Sequence, residues 1–116
     1  MLNSLMNLSA LDTLYLRDNQ LIDISALAGL SGLTRLYLDN NQVSDISALA
    51  DLTGLSTIRL NNNQVTDIQS LFNLINAQDI NLTGNNGIVC GDLDALTTLM
   101  GEGIVTAPQS CSTGVF

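Results

Sequence analysis

The sequence predicts an α/β solenoid, a right-handed superhelix with a parallel β-sheet on its concave side and 3₁₀ or irregular segments on its convex side. Two observations lead to this fold. A 22-residue pattern recurs along the chain without gaps, and within it apolar residues first alternate and then recur every third position. Hydrophobic residues make up 46% of the 116 residues but aromatic residues only 3%, so we expect an aliphatic core.

The repeat covers most of the chain. Residues 11–32, 33–54 and 55–76 share the pattern L-x-x-L-x-L-x-x-N-x-h-x-D-I-x-x-L-x-x-L-x-x, where h is Leu or Val and Ile58 is the one exchange. A fourth block, residues 77–98, keeps the register with weaker identities, and residues 1–10 hold the second half of an earlier repeat. We therefore expect a repeat domain over residues 1–98 and a C-terminal cap over residues 99–116.

Each block divides into a strand and a return segment. Leu14 and Leu16 alternate with polar residues, which is typical of a short strand with one face inward. Ile24, Leu27 and Leu30 continue the inward set at a spacing of three, which predicts a 3₁₀ turn or short helix. Strands of successive blocks must then stack in parallel, about 4.8 Å apart.

Two polar columns mark the turns between these segments. One column follows the strands and consists of Asn19, Asn41, Asn63 and Asn85. An Asn amide both donates and accepts, so we expect this column to form a hydrogen-bonded ladder with the buried backbone of neighbouring turns. The other column, Asp23, Asp45 and Asp67, precedes the return segment, where a carboxylate can cap free N–H groups.

This combined pattern resembles the bacterial, internalin-type class of leucine-rich repeats, whose unit also has 22 residues. The resemblance covers roughly residues 1–98. It implies a leucine-rich-repeat superhelix whose strands line a concave face that grips a protein partner. A particular partner does not follow, because function in such a fold depends on the variable positions.

The two cysteines lie where the repeat ends. Cys90 occupies the isoleucine column of the return segments, and Cys111 lies one residue short of the same column in the next turn. We expect the two to lie on adjacent layers and form a disulfide, with a helix over 92–100 and a final strand over 104–106. If the 22-residue register continues into this last turn, Glu102 takes a position that holds an inward-facing Leu in the repeats. A disulfide implies an oxidising compartment: periplasm, cell surface or medium. Two buried free thiols in a cytosolic protein are the alternative.

The outward strand positions form the candidate binding surface on the concave face. All three basic residues and both tyrosines of the chain fall there, and Tyr and Arg dominate interface energies in general. The alternative is a merely solvated face on which Arg17 and Arg35 offset Asp18 and Asp39. The candidate partner-binding residues are Thr13, Tyr15, Arg17, Arg35, Tyr37, Asp39, Thr57, Arg59, Asn61, Asp79 and Asn81.

Composition argues against several classes of function. The chain has no His and no Lys, which removes the commonest general base and the Schiff-base nucleophile, so we do not expect an enzyme. The net charge of -8 would repel nucleic acid and anionic membranes, and no stretch approaches the ~20 apolar residues of a membrane span. We expect no metal or cofactor, because capping explains the Asp column without Ca²⁺ and two cysteines without His do not make a zinc site.

Three functions remain compatible with the sequence. The first is a secreted or cell-surface module that recognises a protein on its concave face. The second is a cytosolic regulatory scaffold that docks on an enzyme with its cysteines reduced. The third is a structural or assembly unit, because the sequence leaves an apolar N-terminal edge at Leu2, Leu5, Leu14 and Leu16, where self-association or further repeats would fit.

Overall fold

Five parallel strands form one sheet in chain order in the computed structural model, which describes residues 11–113. The strands are β1 (Thr13–Tyr15), β2 (Arg35–Tyr37), β3 (Thr57–Arg59), β4 (Asp79–Asn81) and β5 (Val105–Thr106). Their register pairs residues 22 positions apart through β4, so that Leu14 lies beside Leu36 and Leu36 beside Ile58. The predicted leucine-rich-repeat solenoid with its parallel sheet is confirmed.

The return segments are 3₁₀ turns, as the spacing of three predicts. They span Ser25–Gly29, Ser47–Leu49 and Gln69–Asn73. The Leu27 N–H donates to the Ile24 carbonyl at 3.0 Å, and the Leu30 N–H donates in turn to the Leu27 carbonyl at 3.0 Å. Residues three apart therefore point the same way, and Ile24, Leu27 and Leu30 are all buried.

The core consists of aliphatic layers, one for each repeat. In the third block Ile58 and Leu60 enter from the strand, while Ile68, Leu71 and Leu74 enter from the return segment, all of them fully buried. Burying one such side chain stabilises the fold by roughly 1.5–3 kcal/mol. Because each layer packs on the next, the core runs continuously beneath the sheet.

The fourth turn departs from the 22-residue register. Ile80 pairs with Val105, a separation of 25 residues, because the helix α1 (Cys90–Met100) replaces the 3₁₀ turn and lengthens the return. The expected inward position of Glu102 is therefore wrong: Glu102 is exposed, and Val105 lies beside Ile80 instead. Earlier in the same turn Ile88 is buried, one residue after the position at which the repeat expects an aliphatic side chain.

A disulfide joins Cys90 to Cys111, as predicted, with Cα atoms 5.1 Å apart. The chain beside it adds a further parallel bridge between Val89 and Ser112. There the Cys90 N–H donates to the Ser112 carbonyl at 2.7 Å, and the Ser112 N–H donates to the Ile88 carbonyl at 2.7 Å. The disulfide thus ties the start of α1 to the segment that follows β5.

The predicted half repeat over residues 1–10 lies outside the described residues, and with it Leu2 and Leu5 of the N-terminal edge. On the described side of that edge Leu14 and Leu16 are half-buried against the core. Between residues 11 and 113 the structure contains no helix long and apolar enough to cross a membrane.

Candidate functional site

The backbone that carries the concave face is held by buried asparagine side chains. Asn41 Nδ2 donates to the carbonyls of Leu16 and Leu38, both at 2.9 Å, and its Oδ1 accepts the Leu21 N–H at 3.0 Å. Asn63 and Asn85 repeat these bonds one and two layers on. Each side chain therefore joins two adjacent turns, which fixes the angle at which the chain leaves each strand.

Asn19, the first residue of this column, behaves differently. Its side chain is exposed, and Nδ2 donates to the Leu16 and Arg17 carbonyls of its own turn, at 3.0 Å each. Within residues 11–113, Asn19 thus closes its own turn without joining it to another.

A second, exposed ladder borders the face. Asn40 Nδ2 donates to Asp18 Oδ1 at 2.6 Å, and Asn62 Nδ2 donates to Asn40 Oδ1 at 2.8 Å. All three residues have φ near +60°, and Gly84 continues the column with φ +84°. Asp, Asn and Gly are the residue types that enter this left-handed region most readily. A column made of these residue types is therefore the sequence feature that indicates this backbone conformation. The hydrogen bonds between these side chains were not predicted from the repeat pattern.

Two stacked tyrosines lie on the concave face. The rings of Tyr15 and Tyr37, neighbours on β1 and β2, have centroids 4.5 Å apart and planes at 9° to each other. Tyr15 is 63% exposed, whereas Tyr37 is partly covered. The stack is a rigid aromatic surface of the kind that anchors protein interfaces, because burying it orders few rotatable bonds.

Ion pairs engage two of the three arginines. Arg17 Nε donates to Asp39 Oδ2 at 3.0 Å, and this bond raises the pKa of Arg17 above its ordinary value. Arg59 donates to Asp79 Oδ2 from Nε at 3.0 Å and from a terminal nitrogen at 2.6 Å. Arg35 is exposed and has no ion pair with any described residue. The partner of Asp39 is thus Arg17 and not Arg35.

Two buried side-chain oxygen atoms on the same face have no hydrogen-bond donor in the part of the chain that the structure describes. Asp39 Oδ1 and Asn61 Oδ1 are both closed to solvent, and neither accepts a hydrogen bond within residues 11–113. Asp39 is 6% exposed. The repeat pattern predicts both residues on the concave face, but the lack of donors depends on side-chain conformations that a sequence pattern does not define.

The other candidate residues lie on the same strands. Thr13 and Thr57 flank Arg35 in its column, and Asn81 lies beside Arg59. Asn81 is occupied locally, since its Oδ1 accepts hydrogen bonds from the Thr83 N–H and hydroxyl. The structure therefore brings all of the candidate residues together on one surface.

The column of Asp23, Asp45 and Asp67 lies on the convex side, where each repeat enters its 3₁₀ turn. Asp23 Oδ1 accepts the Ser25 N–H and Asp45 Oδ1 accepts the Ser47 N–H, each at 2.9 Å. These bonds lower the pKa of both carboxyls. Asp67 caps Gln69 in the same way at 3.0 Å. No three His, Cys, Asp or Glu side chains of the described residues gather where they could hold a metal ion.

Comparison with known proteins agrees with this architecture. A family profile described as "Leucine Rich repeats (2 copies)" matches residues 9–51. An internalin (InlF) from Listeria monocytogenes is 33% identical over 94% of this chain and 32% of its own, with a TM-score of 0.86. Internalin C2 from the same organism is 40% identical over 90% of this chain and 45% of its own, with a TM-score of 0.79.

A plant peptide hormone receptor (RGFR1), solved in complex with RGF2, shares the fold at 24% identity over 74% of this chain and 15% of its own, with a TM-score of 0.64. No curated protein sequence is significantly similar to the chain. The chain spans about a third of the first internalin and just under half of the second. By its repeat pattern, its fold and these similarities, it is an internalin-like leucine-rich-repeat protein.

Proposed function

We propose that this chain recognises a protein partner on its concave face and that it acts as a secreted or cell-surface module. Leucine-rich-repeat domains generally mediate protein–protein interaction, and solenoids use their extended concave surfaces for it. The variable positions on these strands then determine which partner is recognised.

The observation that carries this proposal is the stacked pair Tyr15 and Tyr37, together with Arg35, which precedes Tyr37 by two residues on β2 and has no ion pair within residues 11–113. The two rings offer a preordered aromatic surface, and within residues 11–113 no carboxylate pairs with the Arg35 guanidinium, which leaves it for a group on the partner. Because this combination is concentrated on one face, it supports a binding surface more strongly than a face that is only solvated.

The disulfide supports the extracellular part of the proposal. Cystines persist in oxidising compartments and are rare in the cytosol, so Cys90–Cys111 fits a secreted or surface protein. The test is the intact mass of the protein from its native cells, under denaturing conditions and after thiol alkylation. A mass with no alkyl groups supports the proposal, whereas alkylation of both cysteines points to the cytosolic scaffold.

The size of the surface suggests how the partner is held. Five strands about 4.8 Å apart give a sheet roughly 19 Å wide. A standard interface buries about 800 Å² on each partner, more than so narrow a face provides alone. We therefore expect either a small partner segment or contacts with further repeats, and the internalins that match this chain are longer than it.

Site-specific photo-crosslinking tests the concave face and captures a partner of any identity. A photoreactive phenylalanine derivative replaces Thr57 on the concave side or, as a control, Gln69 on the convex side, in cells that produce the protein. We expect one partner polypeptide to crosslink from position 57 and not from 69. Excess wild-type protein should compete, while a variant with both Arg35→Ala and Tyr37→Ala should compete less. Equal crosslinking from the two positions would overturn the proposal.

A further inference from the structure

Asp39 and Asn61 each have a buried side-chain oxygen on the concave face that has no hydrogen-bond partner among the described residues. Asp39 follows β2, Asn61 follows β3, and Asn40 N–H donates to the Asn61 carbonyl at 3.0 Å, so the two residues lie in the same column on adjacent turns. Each has an Oδ1 atom that is closed to solvent and lacks a donor within residues 11–113. Buried polar atoms without partners raise the free energy of a fold, and so they require a physical explanation.

Only a hydrogen-bond donor can satisfy both atoms, and the carboxylate favours a cationic one. An ammonium group carries three N–H donors and a guanidinium carries five, so either has enough donors for both oxygens. Hydrogen bonds between charged groups are shorter and stronger than neutral ones. The chain as a whole is attractive to cations, since its net charge is -8.

Arg17 occupies Asp39 in a way that allows it to be displaced. It binds through Nε alone at 3.0 Å, and its side chain is 55% exposed. Arg59, by contrast, binds Asp79 through two nitrogens. Asp18 follows Arg17 in the chain and offers its guanidinium another carboxylate once it leaves Asp39.

From these contacts we infer that Asp39 and Asn61 form a subsite for a Lys or Arg side chain of the protein partner. Arg17 first swings toward solvent and Asp18, which opens the Asp39 carboxylate, and the incoming cation then donates to this carboxylate and to the Asn61 amide oxygen. The inference rests on the proposed function, because it describes how the same concave face selects its partner. It adds the chemistry of one contact: a basic side chain bound between the second and third repeats.

The probe for this subsite is N-acetyl-lysine methylamide, with N-acetyl-norleucine methylamide as the uncharged control. Each is titrated into ¹⁵N-labelled protein, and the side-chain amide signal of Asn61 is followed by NMR. We expect the lysine compound to produce a saturable shift with a dissociation constant on the order of millimolar, and norleucine to bind about tenfold more weakly. Equal shifts with the two compounds would overturn the inference.

Three variants separate binding from folding. Asp39→Asn should abolish the difference between the two compounds, whereas Asp67→Asn, which removes the same charge from the convex side, should preserve it. Arg17→Ala should strengthen lysine binding about tenfold, because it removes the competing cation. A purely structural role for Asp39 predicts no gain from Arg17→Ala, so the absence of a gain also counts against the subsite. Unchanged far-UV circular dichroism verifies the fold of each variant.

Crosslinking and amine titration can fail independently. If position 57 captures a partner but amines do not discriminate at Asn61, the concave face binds protein and the subsite is wrong. If amines bind at Asn61 but crosslinking is equal on both sides, the chain has a cation site there, and both the proposed function and the role of this site in partner recognition are wrong.

Discussion

Asn62 and Gly84 approach each other so closely that residue 84 has no room for a side chain. A Cβ atom on residue 84 would overlap Asn62 Oδ1 and come within 3.0 Å of the Asn62 backbone nitrogen. Residue 84 also has φ +84°, a conformation that glycine adopts without strain. The ladder of Asp18, Asn40 and Asn62 therefore ends at a glycine for steric reasons.

Gly84→Ala should consequently destabilise the protein by about 2–3 kcal/mol, as a sum of backbone strain and displacement of Asn62. Gly91→Ala is a matched control, because nothing lies within 4 Å of its added Cβ and residue 91 is inside α1. That variant should be neutral or more stable by roughly 0.5–1 kcal/mol. Urea unfolding of the two variants measures both effects, and equal losses would contradict the steric explanation.

The buried asparagine ladder predicts a comparable loss from removing a single side-chain amide. Asn63→Ala removes the bonds to the Leu38 and Leu60 carbonyls and to the Val43 N–H. Because these backbone groups are buried, we expect a loss of about 3 kcal/mol in the free energy of unfolding. Gln64→Ala, at the exposed neighbouring position, should change it by less than about 0.5 kcal/mol. A loss at residue 63 no larger than at residue 64 would show that the ladder does not stabilise the turns.

The disulfide should matter most for the C-terminal turn. Reducing Cys90–Cys111 opens a loop with a sequence separation of 21, which costs about 3 kcal/mol on the chain-entropy account. We expect a reductant to lower the urea midpoint of the wild-type protein and to leave that of the Cys90→Ala/Cys111→Ala variant unchanged. Amide exchange should then rise first in β5. Exchange that rises equally in β2 would argue against local opening.

The capping aspartates predict a loss of stability in acid. The Ser25 and Ser47 N–H groups lower the pKa of Asp23 and Asp45 below the ordinary value of 3.8 in the folded state. Their contribution is therefore complete above pH 3.8 and is lost as pH falls through the lower, folded values. In Asp23→Asn/Asp45→Asn, which still caps but does not titrate there, the urea midpoint should fall less over this range. If the urea midpoint of the variant and of the wild type fell identically with pH, these two carboxyls would not be the cause of the lost stability.

The repeat itself was predictable from sequence because it expresses packing rules that act locally. Alternation at Leu14 and Leu16 and a spacing of three at Ile24 and Leu27 correspond directly to a strand and a 3₁₀ turn, and both are present. The disulfide was also predictable, since Cys90 and Cys111 are about one turn apart.

The last turn and the details of the binding surface were less predictable. Glu102 was misplaced because α1 adds residues to the return, and no pattern within one repeat reveals the length of a helix that ends the array. The hydrogen bonds of the Asp18–Asn40–Asn62 ladder and the ion pair between Arg17 and Asp39 depend on the side-chain conformations that residues of neighbouring turns adopt. Such choices are set by three-dimensional geometry, whereas the sequence defines only which residues share a column.

The most direct test of concave-face recognition is the affinity of the crosslinked partner for three proteins: wild type, Tyr37→Ala and Ile75→Ser. Ile75 is 78% exposed and follows the 3₁₀ turn of the third repeat, outside the strands. We predict that Tyr37→Ala weakens binding about thirtyfold, which corresponds to about 2 kcal/mol, and that Ile75→Ser leaves it unchanged. A loss confined to Ile75→Ser, with Tyr37→Ala binding as tightly as wild type, would contradict the account.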